Sequence, residues 1–298
     1  MYYRRKIILG LLETFDNKLN KTAFQKLLML LSMKQENPSF DFVPYKYGCF
    51  SFQSNADIHT MIKYKQIYED KKEKESYWVN NEKSSYINEL KIKDKIILMQ
   101  LKSKFNGIST SDLIKYTYKK YPYLAINSTI SNKILTNEEL KEVSKFKPVN
   151  NINALYTIGY EGISQERFLN KLLQEDIKVL CDVRRNPLSM KYGFSKNQLL
   201  NACNGVGIDY IHIPEVGIAS SKRQKLVTQG DYDNLFKHYN ENLMSEGSLN
   251  GIKKITDLLH TYNRVAITCF ESNIDQCHRK HLALNIIENE KDFELIHL

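Results

Sequence analysis

Two kinds of hydrophobic patterning divide this chain. In the first part, apolar residues recur at helical spacing. Ile7, Ile8, Leu11, Leu12 and Phe15 form one such face, and Phe24, Leu27, Leu28, Leu30 and Leu31 form a second. Asn20-Lys21-Thr22 supplies cap residues between them, and two short helices about a polar break suit a helix-turn-helix. Phe40 to Tyr45 alternates and predicts a short strand or wing. Ser54–Tyr64 and Ile92–Phe105 read as helices, and another starts at Ser109 and ends before Pro122. The polar stretch 69–93 reads as a surface linker or β-hairpin wing. After Pro148 to Asn153, a linker, the pattern changes. Apolar runs at 154–158, 177–181, 208–213, 264–269 and 293–298 predict strands. Amphipathic segments at 164–175, 195–204, 231–243, 249–262 and 280–289 predict the helices between them. Strands alternating with helices argue for a mostly parallel, Rossmann-like α/β sheet covered on both faces. The expected organisation is thus a mainly α, winged-helix-like domain at 1–148 and an α/β domain at 154–298.

Composition adds three constraints. A chain of 298 residues, 42% of them hydrophobic, supports two modest cores. No apolar run reaches the roughly 20 residues that span a bilayer, and the N-terminus does not read as a secretory signal, so a cytoplasmic location without membrane contact is expected. Five cysteines at irregular spacing argue against a disulfide framework. There is no Cys-x-x-Cys pair. Cys277 and His278 are adjacent and are expected to project in different directions, so no metal site is expected.

Charge separates the halves more sharply. Residues 1–150 carry 26 Lys and Arg against 16 Asp and Glu, whereas residues 151–298 carry 17 against 18. The whole net charge of +9 therefore resides in the first half. That asymmetry points to an anionic partner, nucleic acid first, although a Lys-rich composition with solvated faces produces the same count. In Lys115–Tyr121, interleaved Lys and Tyr either combine phosphate contact with stacking or are half-buried tyrosines with lysines snorkelling around them. The first half loosely resembles winged-helix DNA-binding modules.

Candidate chemistry gathers at the predicted C-terminal ends of three strands: Gly159-Tyr160-Glu161-Gly162, Asp182-Val183-Arg184-Arg185, and Cys269-Phe270-Glu271 leading to Cys277-His278-Arg279. In open parallel sheets ligands bind at that edge. Asp182 there is a general base, a nucleophile or an orienter of arginine, or else half of a buried salt bridge with Arg184 or Arg279. Arg184 and Arg279 can present guanidinium forks to a phosphate, whereas Arg185 is expected at the surface. A helix N-terminus beside Arg279 and His278 would lower the Cys277 pKa and make it a nucleophile, opening thiol transfer as a minor option. Cys181 and Cys269 are expected in the core. Glu271 with Asp182 suits acid–base work or ribose recognition. Tyr160 suits base stacking or phosphate orientation, Glu161 shares its loop, and Lys196 is a candidate phosphate contact. Neither a dinucleotide fingerprint nor a Walker-type loop occurs, and the sequence names no cofactor.

These segments carry a family resemblance. Thr157-Ile158-Gly159, Asp182-Val183-Arg184 with Pro187, Gly193-Phe194-Ser195-Lys196, Gly207 to Pro214, Cys277-His278-Arg279 and the closing Ile296-His297 occur in the order seen in the domain-of-unknown-function 488 family. The resemblance spans about residues 154–298 and implies a Rossmann-like domain without a secured activity. The loop after Gly217 departs from common members. Two functions fit the whole. One is an enzyme acting on nucleic acid or a nucleotide, as in DNA modification, repair or anti-phage defence, with a phosphorylated ligand held by the arginines. The other is a non-catalytic sensor of a nucleotide-like ligand that regulates DNA binding.

Overall fold

A computed structural model describes residues 1–219, 222 and 226–298. Most of the loop expected to depart from the family pattern, at 220, 221 and 223–225, lies outside the described residues. The chain forms two compact units, Met1–Lys147 and Pro148–Leu298.

The first unit runs α1 (Tyr3–Thr14), β1 (Lys18–Asn20), α2 (Lys21–Ser32), β2 (Val43–Tyr45), β3 (Gly48–Phe50), α3 (Phe52–Lys63), β4 (Ile67–Lys71), β5 (Ser76–Asn80), α4 (Ile92–Phe105), α5 (Thr110–Lys120), α6 (Ser131–Ile134) and α7 (Asn137–Ser144). The strands make an antiparallel sheet in the order β1-β5-β4 and a separate β2-β3 hairpin. Asn20 caps α2 as its sequence suggests, its Oδ1 accepting from the Thr22 amide at 2.9 Å.

The expected pairing of α1 and α2 as a helix-turn-helix needs correction. A strand, β1, separates them, and every residue from Ala23 to Ser32 is buried. Leu27 to Leu31 is an unbroken apolar run, so α2 takes the centre of the core, with the polar ends of Gln25 and Lys26 held by buried hydrogen bonds. The more exposed helix of this sheet-flanked group is α3, which shows His59 and Lys63 to solvent. The Lys/Tyr segment of α5 follows the snorkelling reading. Tyr118 is buried, Lys115 and Lys119 pair with Glu139, and Lys104 and Lys120 lie near the Tyr116 ring.

The second unit alternates β6 (Ala154–Gly159), α8 (Gln165–Gln174), β7 (Val179–Asp182), α9 (Lys196–Gly205), β8 (Asp209–His212), α10 (Gln229–Leu243), α11 (Glu246–Tyr262), β9 (Arg264–Cys269), α12 (His278–Ile287) and β10 (Glu294–His297). Its five strands are all parallel, in the order β10-β6-β9-β7-β8. From β6 to β8 the chain travels toward one edge; from β8 through β9 to β10 it returns toward the other. Right-handed crossovers therefore put α8 and α9 on one face and α10 to α12 on the opposite face. The core on the second face joins α10, α11 and α12 to Leu155, Val179, Cys181, Val265 and Ile267. The reversal of direction leaves a crevice at the C-terminal ends of β6, β9 and β7.

Candidate functional site

Side-chain alternation along β7 and β9 decides the site. Cys181 and Val183 share the α10–α12 face with Ile267 and, by register, Cys269. Leu180, Asp182 and Arg184 point to the other face. The residues expected to build one cavity are split between two clusters on opposite faces of the sheet edge.

The first cluster surrounds Asp182, which is fully buried. Its carboxylate accepts from Arg184 Nε at 2.8 Å and Arg184 NH2 at 2.5 Å, from the Arg184 amide at 3.1 Å, and from the Tyr210 hydroxyl at 2.6 Å. The remaining arm of Arg184 donates to the Tyr160 hydroxyl at 2.6 Å. Burial is the largest single influence and opposes the charge on Arg184, but the hydrogen bonds and charge of Asp182, with Tyr160, together outweigh it and raise the guanidinium pKa. Burial, then the Asp182 charge, raises the Tyr210 pKa. Asp182 is thus the buried salt-bridge partner of Arg184, and with its oxygens so engaged it is not placed as a base for an external substrate. Tyr160 is 2% exposed and stacks on Phe194 with ring centroids 4.3 Å apart. It has no free face for a base; its contribution is to orient Arg184.

The second cluster lies between the end of β9 and the start of α12. Cys269 Sγ is 3.2 Å from Glu271 Oε2 and 3.6 Å from His278 Nδ1. Cys277 Sγ is 3.1 Å from the same carboxylate oxygen and 4.0 Å from the same ring nitrogen. His278 Nε2 lies 3.2 Å from the Val183 carbonyl. Arg279 is 2% exposed and donates to the carbonyls of Glu271 and Ser272, while its Nε has no hydrogen-bond partner among the described residues. Gly159 makes this arrangement possible: a Cβ there would meet the Glu271 carbonyl at 2.0 Å and Arg279 NH2 at 3.1 Å.

Two sequence expectations change here. Cys277 and His278 do not diverge: the extended backbone of Cys277 leads into the first turn of α12, and both side chains turn toward Cys269. Cys277 is not an activated nucleophile either. Burial, then Cys269 and Glu271, hold its thiol well above the usual range, against the opposing pull of Arg279. Cys269 is buried as expected, and it also borders a cavity.

That cavity, about 280 Å³, opens at the strand ends. Tyr160, Arg184, Arg185, Lys191, Cys269 and Phe270 are among its lining residues. Of the residues put forward from sequence as catalytic or ligand-binding, it takes Tyr160 and Arg184. Glu161 is exposed and accepts from the Ser272 amide and hydroxyl, each at 3.0 Å. Lys196 is exposed and lies 3.2 Å from His212 Nδ1, not in the cavity. Arg185 is exposed as expected, yet it lines this cavity and a second one of about 310 Å³ bounded by Glu215, Lys222, His238 and Tyr239. Lys191 was missed. It donates to the Tyr160 carbonyl at 2.6 Å, and burial lowers its pKa. Nothing in its loop marks it, whereas Cys269 was detectable: the alternation Val265, Ile267, Cys269 puts it on the face from which α12 is reached.

The fold and site define an α/β domain with a cation-lined cavity at the C-terminal edge of a parallel sheet. The family model of the domain of unknown function DUF488 matches residues 164–286, within the C-terminal unit. No curated protein and no solved structure is significantly similar to the chain.

Proposed function

We propose that this protein is an enzyme acting on nucleic acid or a nucleotide, with the first unit holding the polymer and the second carrying the chemistry. The observation that carries this reading is the cavity itself. Arg184, Arg185 and Lys191 give it a positive lining, suited to a phosphorylated ligand, and Cys269 borders it. Of the two carboxylates considered for acid–base work, neither lines the cavity, and Glu271 is the more accessible. It is part-exposed and contacts both thiols, whereas Asp182 is sealed.

The first unit supports the nucleic-acid half of the reading. It carries the surplus positive charge. The order α1-β1-α2-α3-β4-β5, with strands arranged β1-β5-β4, supports reading this unit as winged-helix-like with the β2-β3 hairpin inserted. In that arrangement α3 is the groove-facing helix, and the exposed turn 72–75 between β4 and β5 is the wing. DNA modification, repair or defence against phage are roles in keeping with such a pairing.

A salt-dependent titration of the full chain with DNA and with RNA, each mixture analysed for altered bases or released products, tests the proposal. Affinity should fall steeply with salt, and product should appear and be lost in Lys191→Ala. A flat salt response, or no product from any nucleic acid or nucleotide tried, overturns it. One observation favours a sensor instead: the Asp182–Arg184 pair is complete without ligand. Ligand-dependent release of DNA with no product identifies that alternative.

A further inference from the structure

We infer that Cys269, Cys277 and His278 form a binding site for a soft divalent cation of the zinc class, with the Glu271 carboxylate against both sulfurs. The inference stands on the cluster alone and goes beyond the nucleic-acid reading.

Four observations converge. The two sulfurs and a ring nitrogen lie within 4.8 Å of one another, all on buried residues. The separations of the sulfurs from Glu271 Oε2 and His278 Nδ1 run from 3.1 Å to 4.0 Å. Zinc–sulfur and zinc–nitrogen bonds of about 2.3 and 2.0–2.1 Å imply tetrahedral edges of about 3.5–3.8 Å, a value inside that range. Small side-chain rotations close the remaining gap.

The histidine is already set as a ligand. A carbonyl only accepts, so the 3.2 Å contact to Val183 O puts the proton on Nε2 and leaves the Nδ1 lone pair facing both sulfurs. This is the outer contact that metal-binding imidazoles characteristically make.

The charges also balance. Two thiolates and one carboxylate around a divalent cation sum to −1, and the buried guanidinium of Arg279 lies behind them, anchored on the Glu271 and Ser272 carbonyls. Its charge acts on Cys277. Without a metal, the two thiol protons face Glu271 Oε2 and His278 Nδ1. On binding, both S–H bonds break, two metal–sulfur bonds form and two protons leave to solvent. Finally, Cys269 lines the 280 Å³ cavity, so the ion has an entry path and would sit against the wall of that cavity.

The test is a titration of the reduced, metal-free full chain with Co²⁺ under exclusion of oxygen. One equivalent should produce sulfur-to-cobalt charge-transfer bands and the visible bands of a tetrahedral ion, with release of about two protons. Zinc should displace the cobalt. Cys269→Ser and Cys277→Ser should each weaken binding at least tenfold, whereas Cys181→Ser and Cys203→Ser, on cysteines outside the cluster, should not. X-ray absorption of the zinc-loaded wild-type chain should count two sulfur neighbours per ion, a readout that does not depend on whether the variants fold. Absence of charge-transfer bands in the wild type, or zinc without sulfur neighbours, overturns the inference. So does binding that survives the Cys277 change but not the Cys181 one.

Discussion

The two faces of one sheet edge solve the same problem in opposite ways. On the α8–α9 side, Asp182 and Arg184 are opposite charges taken out of water together. Two guanidinium nitrogens, a backbone amide and Tyr210 saturate the carboxylate. On the α12 side, two thiols, an imidazole and a carboxylate converge, and the nearest cation spends its donors on backbone carbonyls. The first cluster is complete as it stands and serves as a rigid floor for the strand ends. The second gathers donors without a charge at its centre. Perturbed, charged residues at a strand edge are therefore not equivalent evidence of chemistry; whether their partners are already present separates a brace from a site.

Breaking the complete side should have the largest effect. Asp182→Asn leaves Arg184 charged and buried without its counter-ion, and should cost about 3–5 kcal/mol in denaturant unfolding. The double change Asp182→Leu with Arg184→Met should recover much of that loss. If the single change costs under about 1 kcal/mol, the brace reading fails. Tyr210→Phe removes one hydrogen bond to the same carboxylate and should cost about 1.5–3 kcal/mol.

Gly159→Ala tests the backbone contact that supports the other side. Its Cβ has no room beside the Glu271 carbonyl, so the chain after β9 must shift, at a cost of about 1–3 kcal/mol. Cobalt absorption should change while Asp182→Asn retains its full penalty in this background. Smallest is a pH effect in the metal-free protein. Unfolded, Cys277 loses its proton around 9.0; folded, it holds the proton to higher pH. The native state then binds more protons, so stability falls as pH rises above about 9. Cys277→Ser should flatten that decline, and an unchanged slope would contradict the burial argument.

Much of the second unit was legible in the sequence because parallel strands buried on both faces read as apolar runs, and amphipathic helices mark the crossovers. The convergence of three strand ends followed from that alternation alone. Its failure was one of resolution: residue spacing placed Asp182 and Arg279 at one edge but not on one face. In the first unit, helical spacing located α1 and α2 correctly. Its helix-turn-helix pairing failed because an apolar run such as Leu27 to Leu31 has the same spacing whether its helix lies at a surface groove or at the centre. Lys191 was invisible because its role comes from a loop folding back onto the Tyr160 carbonyl.

By itself the sequence determined the α/β alternation, the imbalance of charge between the halves, and the inventory of thiol, imidazole, guanidinium and carboxylate groups at the strand ends. Those depend on local periodicity and composition. Only the tertiary structure decided which of these groups meet. Strand order and register choose a residue's neighbours, and the two-residue repeat of a strand sends adjacent side chains to opposite faces. Asp182 was thereby committed to Arg184, and Cys269 to Cys277 and His278, across a sheet edge where the linear sequence showed a single cluster.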